Sequence, residues 1–375
     1  MTTTDQASTD QASTDQATLR GTATLSELAP EAATLEPTDM PTVMPTVMPT
    51  VMPTIELAIE SASVSASSAT ASTGHAAVER AVRSVAGWGE RKFSATPVTG
   101  GLQNDNWRIR FTDEQQQYFV KLPGAGTEAY IDRRNAYRAG TMAAEAGISP
   151  RIVAFDEQTG VEIVEFLSDY RACTNGDMKD AATASSVIDL FKTFHRVQPL
   201  PVTKTVFDMI EEHRQQAQAH AVILPTATAS LLREVAAVQA AFEASGMDLV
   251  PCHNDPMPGN FLTSPTGPMR LIDFEFASNN ERAYDLALVL TEFFYDERRI
   301  LESIEEFYGT TSWTLMARVR VCIALADVKW GLWGCVNQRL NTTWDFDYHK
   351  YGSWKLARAR AVMADPRWAH WVAAL

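Results

Sequence analysis

HNDPMPGN (253–260), followed by the apolar run MRLI (269–272) and then DFEF (273–276), is the stretch on which the reading of this chain turns. Asp255 and Asn260 stand five residues apart in a loop stiffened by Pro256, Pro258 and Gly259, and Asp273 follows 13 residues later. A turn between two short strands would bring all three side chains to one point. Phosphoryl transfer needs such a set: a carboxylate that orients or deprotonates the attacking hydroxyl, and oxygen ligands for a magnesium ion on the nucleotide phosphates. The plainer reading is a polar loop with an Asx-turn and a surface acid. It leaves the coupling of the loop to D-x-E after an apolar strand unexplained.

Upstream of that stretch the pattern is that of a small sheet. FSATPVT, NWRIRF and QYFVKL have the β-branched and aromatic content of strands, with Gly100-Gly101 and Asp113-Glu114 as turns. TEAYIDRRNAYRAGTMAAEAG reads as a helix stopped by Gly147, and RIVAF and VEIVEFL as two further strands. Phe119 and Lys121 share one strand face. A lysine there reaches nucleotide phosphates, or it is a surface residue with a buried stem. Gly100-Gly101 fits a phosphate loop and an ordinary hairpin equally.

Downstream the chain is mainly helical. Ile188, Phe191, Phe194 and His195 fall on one face of a helix near 179–197, and further helices are expected near 207–221 and 226–245. Trp330 and Trp333, three apart, project from one helix face. Such a pair is core packing, or it is one wall of a box for an ammonium group. The expected fold class is α+β: a small mixed β lobe over 76–167, a larger helical lobe over 168–375, and a ligand cleft between them.

Composition narrows the partners. With 32 Lys+Arg against 46 Asp+Glu the formal net charge is −14, which argues against nucleic acid or an anionic membrane as the main partner. Cys173, Cys252, Cys322 and Cys335 form no CxxC pair and read as buried free thiols of a reducing compartment. The apolar stretch Val319 to Val336 carries Arg320, Asp327 and Lys329, too many charges for a membrane span. MTTTDQAS has neither the basic nor the apolar region of a signal peptide, so a cytoplasmic location is expected. Residues 1–75 repeat TDQA and MPTV and hold nine acids against Arg20 alone, which predicts a disordered low-complexity tail.

The pairing of HNDPMPGN with IDFEFAS, followed by AYDLA and TEFFYD, resembles choline/ethanolamine kinases within the aminoglycoside-phosphotransferase-like, protein-kinase-like small-molecule kinases. FVKLPGAGTEAYIDR is similar to that family's nucleotide-lobe segment, and WGLWGCVNQ with FDYHKY to its substrate segment. The resemblance runs from Val98 to Ala359. It implies a two-lobed kinase that uses ATP and Mg²⁺ to phosphorylate a small amino alcohol, choline first and ethanolamine second. Asp255 would be the catalytic base, Asn260 and Asp273 the metal ligands, and Lys121 the phosphate contact. Glu165, Phe166 and Leu167 would form the hinge that meets adenine, and Glu292, Trp330, Trp333 and Tyr351 would enclose the ammonium. His253 and Glu275 would support the loop. Two departures stand out: Ala136 takes the place of a helix glutamate, so that Glu128 or Glu145 substitutes or Lys121 lacks its partner, and Phe276 stands where many relatives carry tyrosine. The competing readings are an aminoglycoside or other hydroxyl kinase on this scaffold, and a non-catalytic nucleotide-binding relative.

Overall fold

Alternation of apolar and polar residues in three consecutive segments builds the first sheet. In the computed structural model, which describes residues 68–98, 104–124, 126–341 and 346–375, these are β1 (Phe93–Val98), β2 (Asn104–Phe111) and β3 (Gln117–Pro123). A helix that sequence reading did not anticipate, α1 (Ser68–Ser84), precedes them and runs across the expected boundary at residue 75. Val78 and Val82 of α1 bury against Trp107, Ile109, Tyr118 and Val120, so α1 covers one face of the sheet. The expected tail up to residue 67 and the Gly100-Gly101 turn lie outside the described residues.

The helix α2 (Arg133–Glu145) begins six residues later than TEAYIDR suggested. A short 3₁₀ turn occupies Thr127–Ala129, and the Asp132 carboxylate accepts from the Asn135 N–H at 3.0 Å to cap the helix. Gly147, with φ 76°, makes the left-handed turn beyond its end. The strands β4 (Ile152–Phe155) and β5 (Glu162–Glu165) complete an antiparallel sheet of order β1-β2-β3-β5-β4. Lys121 lies opposite Asn106 on one side and Glu162 on the other. Its neighbours in sequence, Val120 and Leu122, point to α1, so period-2 alternation turns Lys121 to the opposite face.

From residue 168 the chain is chiefly helical. After β6 (Arg171–Ala172) come α3 (Ala181–Phe194), α4 (Val206–Ala219) and α5 (Thr228–Ser245), where helices were expected. Four short strands then form the site: β7 (Leu249–Cys252), β8 (Phe261–Thr263), β9 (Arg270–Leu271) and β10 (Ser278–Glu281). β6-β8-β9 make one small sheet and β10-β7 another. The remainder is α6 (Arg282–Glu292), α7 (Glu297–Tyr308), α8 (Trp313–Leu340), α9 (Tyr348–Met363) and α10 (Trp368–Ala373).

A single large apolar cluster joins these helices, and Ala139 and Ala143 of α2 belong to it. The helix α2 is thus shared between the sheet and the helical part. A Cβ added at its Gly140 would lie 3.1 Å from Ile152 Cδ1 and 3.6 Å from Phe274, which sets how closely β4 and the DFEF segment approach. The four cysteines are free and buried, as expected. Among the described residues no helix is long and apolar enough to cross a membrane.

Candidate active site

Two short sheets hold the loop after β7 and the turn after β9 side by side. His253 ties them together: its Nε2–H donates to the Ile272 carbonyl at 2.9 Å, and its Nδ1 accepts the Asp255 N–H at 3.3 Å. Beneath it lies Asp285 of α6, fully buried, whose carboxylate accepts the N–H groups of His253 and Asn254, both at 2.8 Å, and His195 Nε2 at 2.9 Å. Burial alone would raise the Asp285 pKa, but these bonds and the two histidines hold it below the usual range. Asp285 sits in AYDLA, which the sequence singled out without a role. An acid in an otherwise apolar helix face was the available signal.

The loop is also strained where the chemistry would be. Asn254 (φ 66°) and Asp273 (φ 69°) both adopt the left-handed conformation that non-glycine residues rarely take. Asn254 is held there by donating to the Phe276 carbonyl at 2.8 Å and to Ser278 at 2.9 Å, while its own oxygen accepts from Asn280 at 2.9 Å.

Around this frame the expected residues fall into three groups. Asp255 and Asn260 meet directly: the Asn260 amide donates to the Asp255 carbonyl at 2.8 Å and to its carboxylate at 3.4 Å. Asp255 is half-buried, and its pKa is pushed up to about 7 by desolvation and by the nearby Asp273 carboxylate, with Lys329 and the Asn260 bond opposing.

Lys121 joins the same centre from the sheet. Its Nζ lies 2.6 Å from Asp273 Oδ1 and 3.2 Å from Glu275 Oε1. Burial would lower its pKa, but Asp273, Glu275 and Glu162 outweigh that and raise it. The lysine's partner is therefore neither Glu128 nor Glu145. Glu275, from the DFEF turn after β9, takes that place and also accepts from Arg133 at 2.5 Å and Asn104 at 2.9 Å. Two oxygen-bearing side chains, Asn260 and Asp273, face the same loop, and hard oxygen donors of this kind suit Mg²⁺.

The hinge segment leaves β5 at Glu165. Glu165, Phe166 and Leu167 line a cavity of about 290 Å³ together with Gln115–Gln117. The N–H groups of Glu165 and Phe166 already donate to the carbonyls of Arg151 (3.0 Å) and Gln117 (2.9 Å). A base edge would meet the carbonyls here and the backbone of Leu167.

The third group is aromatic. Trp330 and Trp333 of α8 stand edge-to-face at 5.4 Å, Trp333 reaches Tyr351 of α9 at 6.0 Å, and Phe276 reaches Trp330 at 5.3 Å. Both tryptophans are buried in the apolar core, while Tyr351 lies where burial, and then the charges of Glu292 and Asp255, push its pKa up. Glu292 is engaged by the ammonium of Lys355, which also lies 3.6 Å from Asp327. Arg358 grips Asp327 through two bonds of 2.5 Å. The sequence marked Lys329 only as a charge against a membrane span and gave Lys355 and Arg358 no role. The helices α8 and α9 each carry four Lys or Arg residues, and the pattern does not show which of them are buried.

Solved structures share this architecture. A choline/ethanolamine kinase family protein from Mesorhizobium loti superimposes with TM-score 0.68 at 24% identity, over 80% of this chain and 98% of that one. LicA in complex with AMP does so with TM-score 0.64 at 22% identity, over 77% and 97%. The fold is thus the two-lobed one of small-molecule kinases: a small sheet lobe and a larger helical part.

The sequence narrows this further. The family model for choline/ethanolamine kinase matches residues 95–305, more than half of the chain. LicA of Haemophilus influenzae is 22% identical over 253 residues, covering 64% of this chain and 72% of that protein. The chain belongs to the choline/ethanolamine kinase family and is a phosphotransferase that acts on an alcohol group.

Proposed function

We propose that this enzyme transfers the γ-phosphoryl group of ATP to the hydroxyl of a small amino alcohol, choline or ethanolamine, releasing ADP and a phosphate monoester. The observation that carries this reading is the environment of Asp255. It is a half-buried carboxylate whose pKa is raised by desolvation and by Asp273, the partner of Lys121, and whose charge is felt by Tyr351, which stands 6.0 Å from Trp333. A base poised near neutrality suits a hydroxyl acceptor.

In this reading Asp255 aligns the acceptor hydroxyl and takes its proton as the oxygen bonds to the γ-phosphorus and the bond to the ADP oxygen breaks. Lys121 holds the α- and β-phosphates, and Glu275, itself gripped by Arg133, holds Lys121 in turn. Asn260 and Asp273 would bind Mg²⁺, which supplies neutralisation of phosphate charge. The segment Glu165–Leu167 would meet adenine, and Glu292, Trp330, Trp333 and Tyr351 would face the amino end of the acceptor. Residues 76–167 and 168–375 would be the nucleotide and catalytic lobes. Four free buried cysteines support a cytoplasmic enzyme, and the net charge of −14 supports small molecules over nucleic acid as partners.

The test is coupled ADP release with Mg·ATP and, in turn, choline, ethanolamine and an aminoglycoside. Amino-alcohol-dependent release is expected, with Asp255→Asn lowering kcat by about 10²–10⁴-fold while nucleotide affinity stays within about threefold. Release with the aminoglycoside alone would discard the acceptor class. Full turnover in Asp255→Asn would discard the base.

A further inference from the structure

The end of α6 and the facing sides of α8 and α9 meet at four ionised side chains. Asp327 of α8 is fully buried, and Arg358 of α9 donates to both of its carboxylate oxygens at 2.5 Å. Arg358 also donates to the carbonyl of Thr291, the residue before Glu292, at 3.2 Å. Lys355 bonds Glu292 through its ammonium and lies 3.6 Å from Asp327. Two carboxylates thus face two cations, and among the described residues no further ion pair reaches any of the four.

Taking charges out of water is unfavourable unless close partners offset it. Here the offset is internal to the chain, because Lys355 and Arg358 match Glu292 and Asp327. Glu292 stands at the edge of the group, with 22% of its side chain exposed, whereas the Lys355 side chain is 1% exposed. Glu292 is also within range of the proposed base: burial, then the charges of Glu292 and Asp255, raise the Tyr351 pKa. A cation that approaches Glu292 therefore meets the field of an ion pair, in which the bonded ammonium largely cancels the attraction of the carboxylate. Aromatic faces such as that of Tyr351 take up methyl and methylene groups whether or not the ligand is charged. The charge preference that such a ring adds is about two- to fivefold.

Resting on the amino-alcohol reading above, we propose that Lys355 neutralises the ammonium end of the acceptor site, so that the enzyme also phosphorylates uncharged primary alcohols of the same shape. For choline the matching compound is neohexyl alcohol, in which carbon replaces the quaternary nitrogen. For ethanolamine it is n-propanol. The step is the same transfer: the alcohol oxygen bonds to the γ-phosphorus, the bond from that phosphorus to the ADP oxygen breaks, and the hydroxyl proton passes to Asp255.

The experiment is ADP release with Mg·ATP for two pairs, choline with neohexyl alcohol and ethanolamine with n-propanol, read as the ratio of kcat/KM within a pair. In the wild type, the pair whose amino alcohol turns over is expected to give a ratio below about tenfold. Lys355→Met removes the cation and keeps the length of the side chain. It should raise that ratio by at least about tenfold, the worth of a bond to a charged group, by lowering the KM of the amino alcohol. Lys355→Arg keeps the charge and should retain the wild-type ratio. A purely structural loss would lower both members of a pair together, so an unchanged ratio in a folded Lys355→Met overturns the proposal. A wild-type ratio above about tenfold overturns it as well, and this arm needs no variant to fold. Both outcomes leave the amino-alcohol reading standing. Absence of turnover with both amino alcohols overturns that reading, and this assignment with it.

Discussion

His213 of α4 is buried near Lys329, and its Nδ1 bonds Gln216 at 2.9 Å. Burial first, and the Lys329 charge second, lower its pKa to about 3. The unfolded chain takes up this proton near the ordinary value of about 6.5. Between these two values the unfolded state binds more protons, so stability falls as pH drops through the window, by up to about 1.4 kcal/mol per unit. His213→Gln should therefore lose less thermal stability between pH 7.5 and pH 5 than the wild type does. An equal loss in both would show that His213 is not the group responsible. The proposed site trio sits at the other extreme of legibility. The spacing of Asp255, Asn260 and Asp273 was readable because one loop and the turn after a short strand carry all three. Glu275 was not readable as the partner of Lys121, because their meeting joins positions 154 residues apart. Neither Lys329 nor His213 announced itself, since whether a lone ionisable group in a helix is buried depends on what packs over it.

At the scale of elements, the crossing of α8 and α9 fixes the aromatic wall. A Cβ on Gly334 would lie 2.9 Å from the Gly352 Cα, and one on Gly352 would lie 2.8 Å from the Gly331 carbonyl oxygen. The two helices touch backbone to backbone there, and this contact sets how far Tyr348 and Tyr351 stand from Trp333. Gly334→Ala must push the helices apart, at a cost of roughly 1–3 kcal/mol. The expected result is a lower Tm together with an acceptor KM raised several-fold more than the ATP KM. A variant whose two KM values move equally would mean that the crossing does not shape the acceptor pocket. Tryptophans three apart on one helix were visible in the sequence as either core or box. The glycines beside them, Gly331 and Gly334, passed unnoticed, because a close approach is a property of two helices and neither sequence shows it alone. The helix α1 escaped for a related reason: its start, SATAST, continues the composition of the low-complexity stretch before it, and only the packing of Val78 and Val82 marks it as part of the fold.

At the scale of the molecule, Glu275 is the fastening between sheet and helices. One carboxylate, nearly buried, accepts from Lys121 on β3, Asn104 on β2 and Arg133 on α2. Glu275→Gln removes the negative charge while keeping the shape, which leaves Arg133 without its partner and Lys121 with Asp273 alone. Breaking a buried pair in this way costs about 3–5 kcal/mol. The expected outcome is a marked fall in Tm and an ATP KM raised about tenfold, read from nucleotide titration and steady-state kinetics. Unaltered nucleotide affinity would show that Lys121 is positioned without Glu275.

The same fastening bears on control. The counter-charges of Lys121 come from the turn after β9, and among the described residues α2 gives that lysine no ion pair and carries Ala136 where a glutamate was looked for. A shift of α2 would loosen Arg133 from Glu275 and leave Lys121 paired with Asp273.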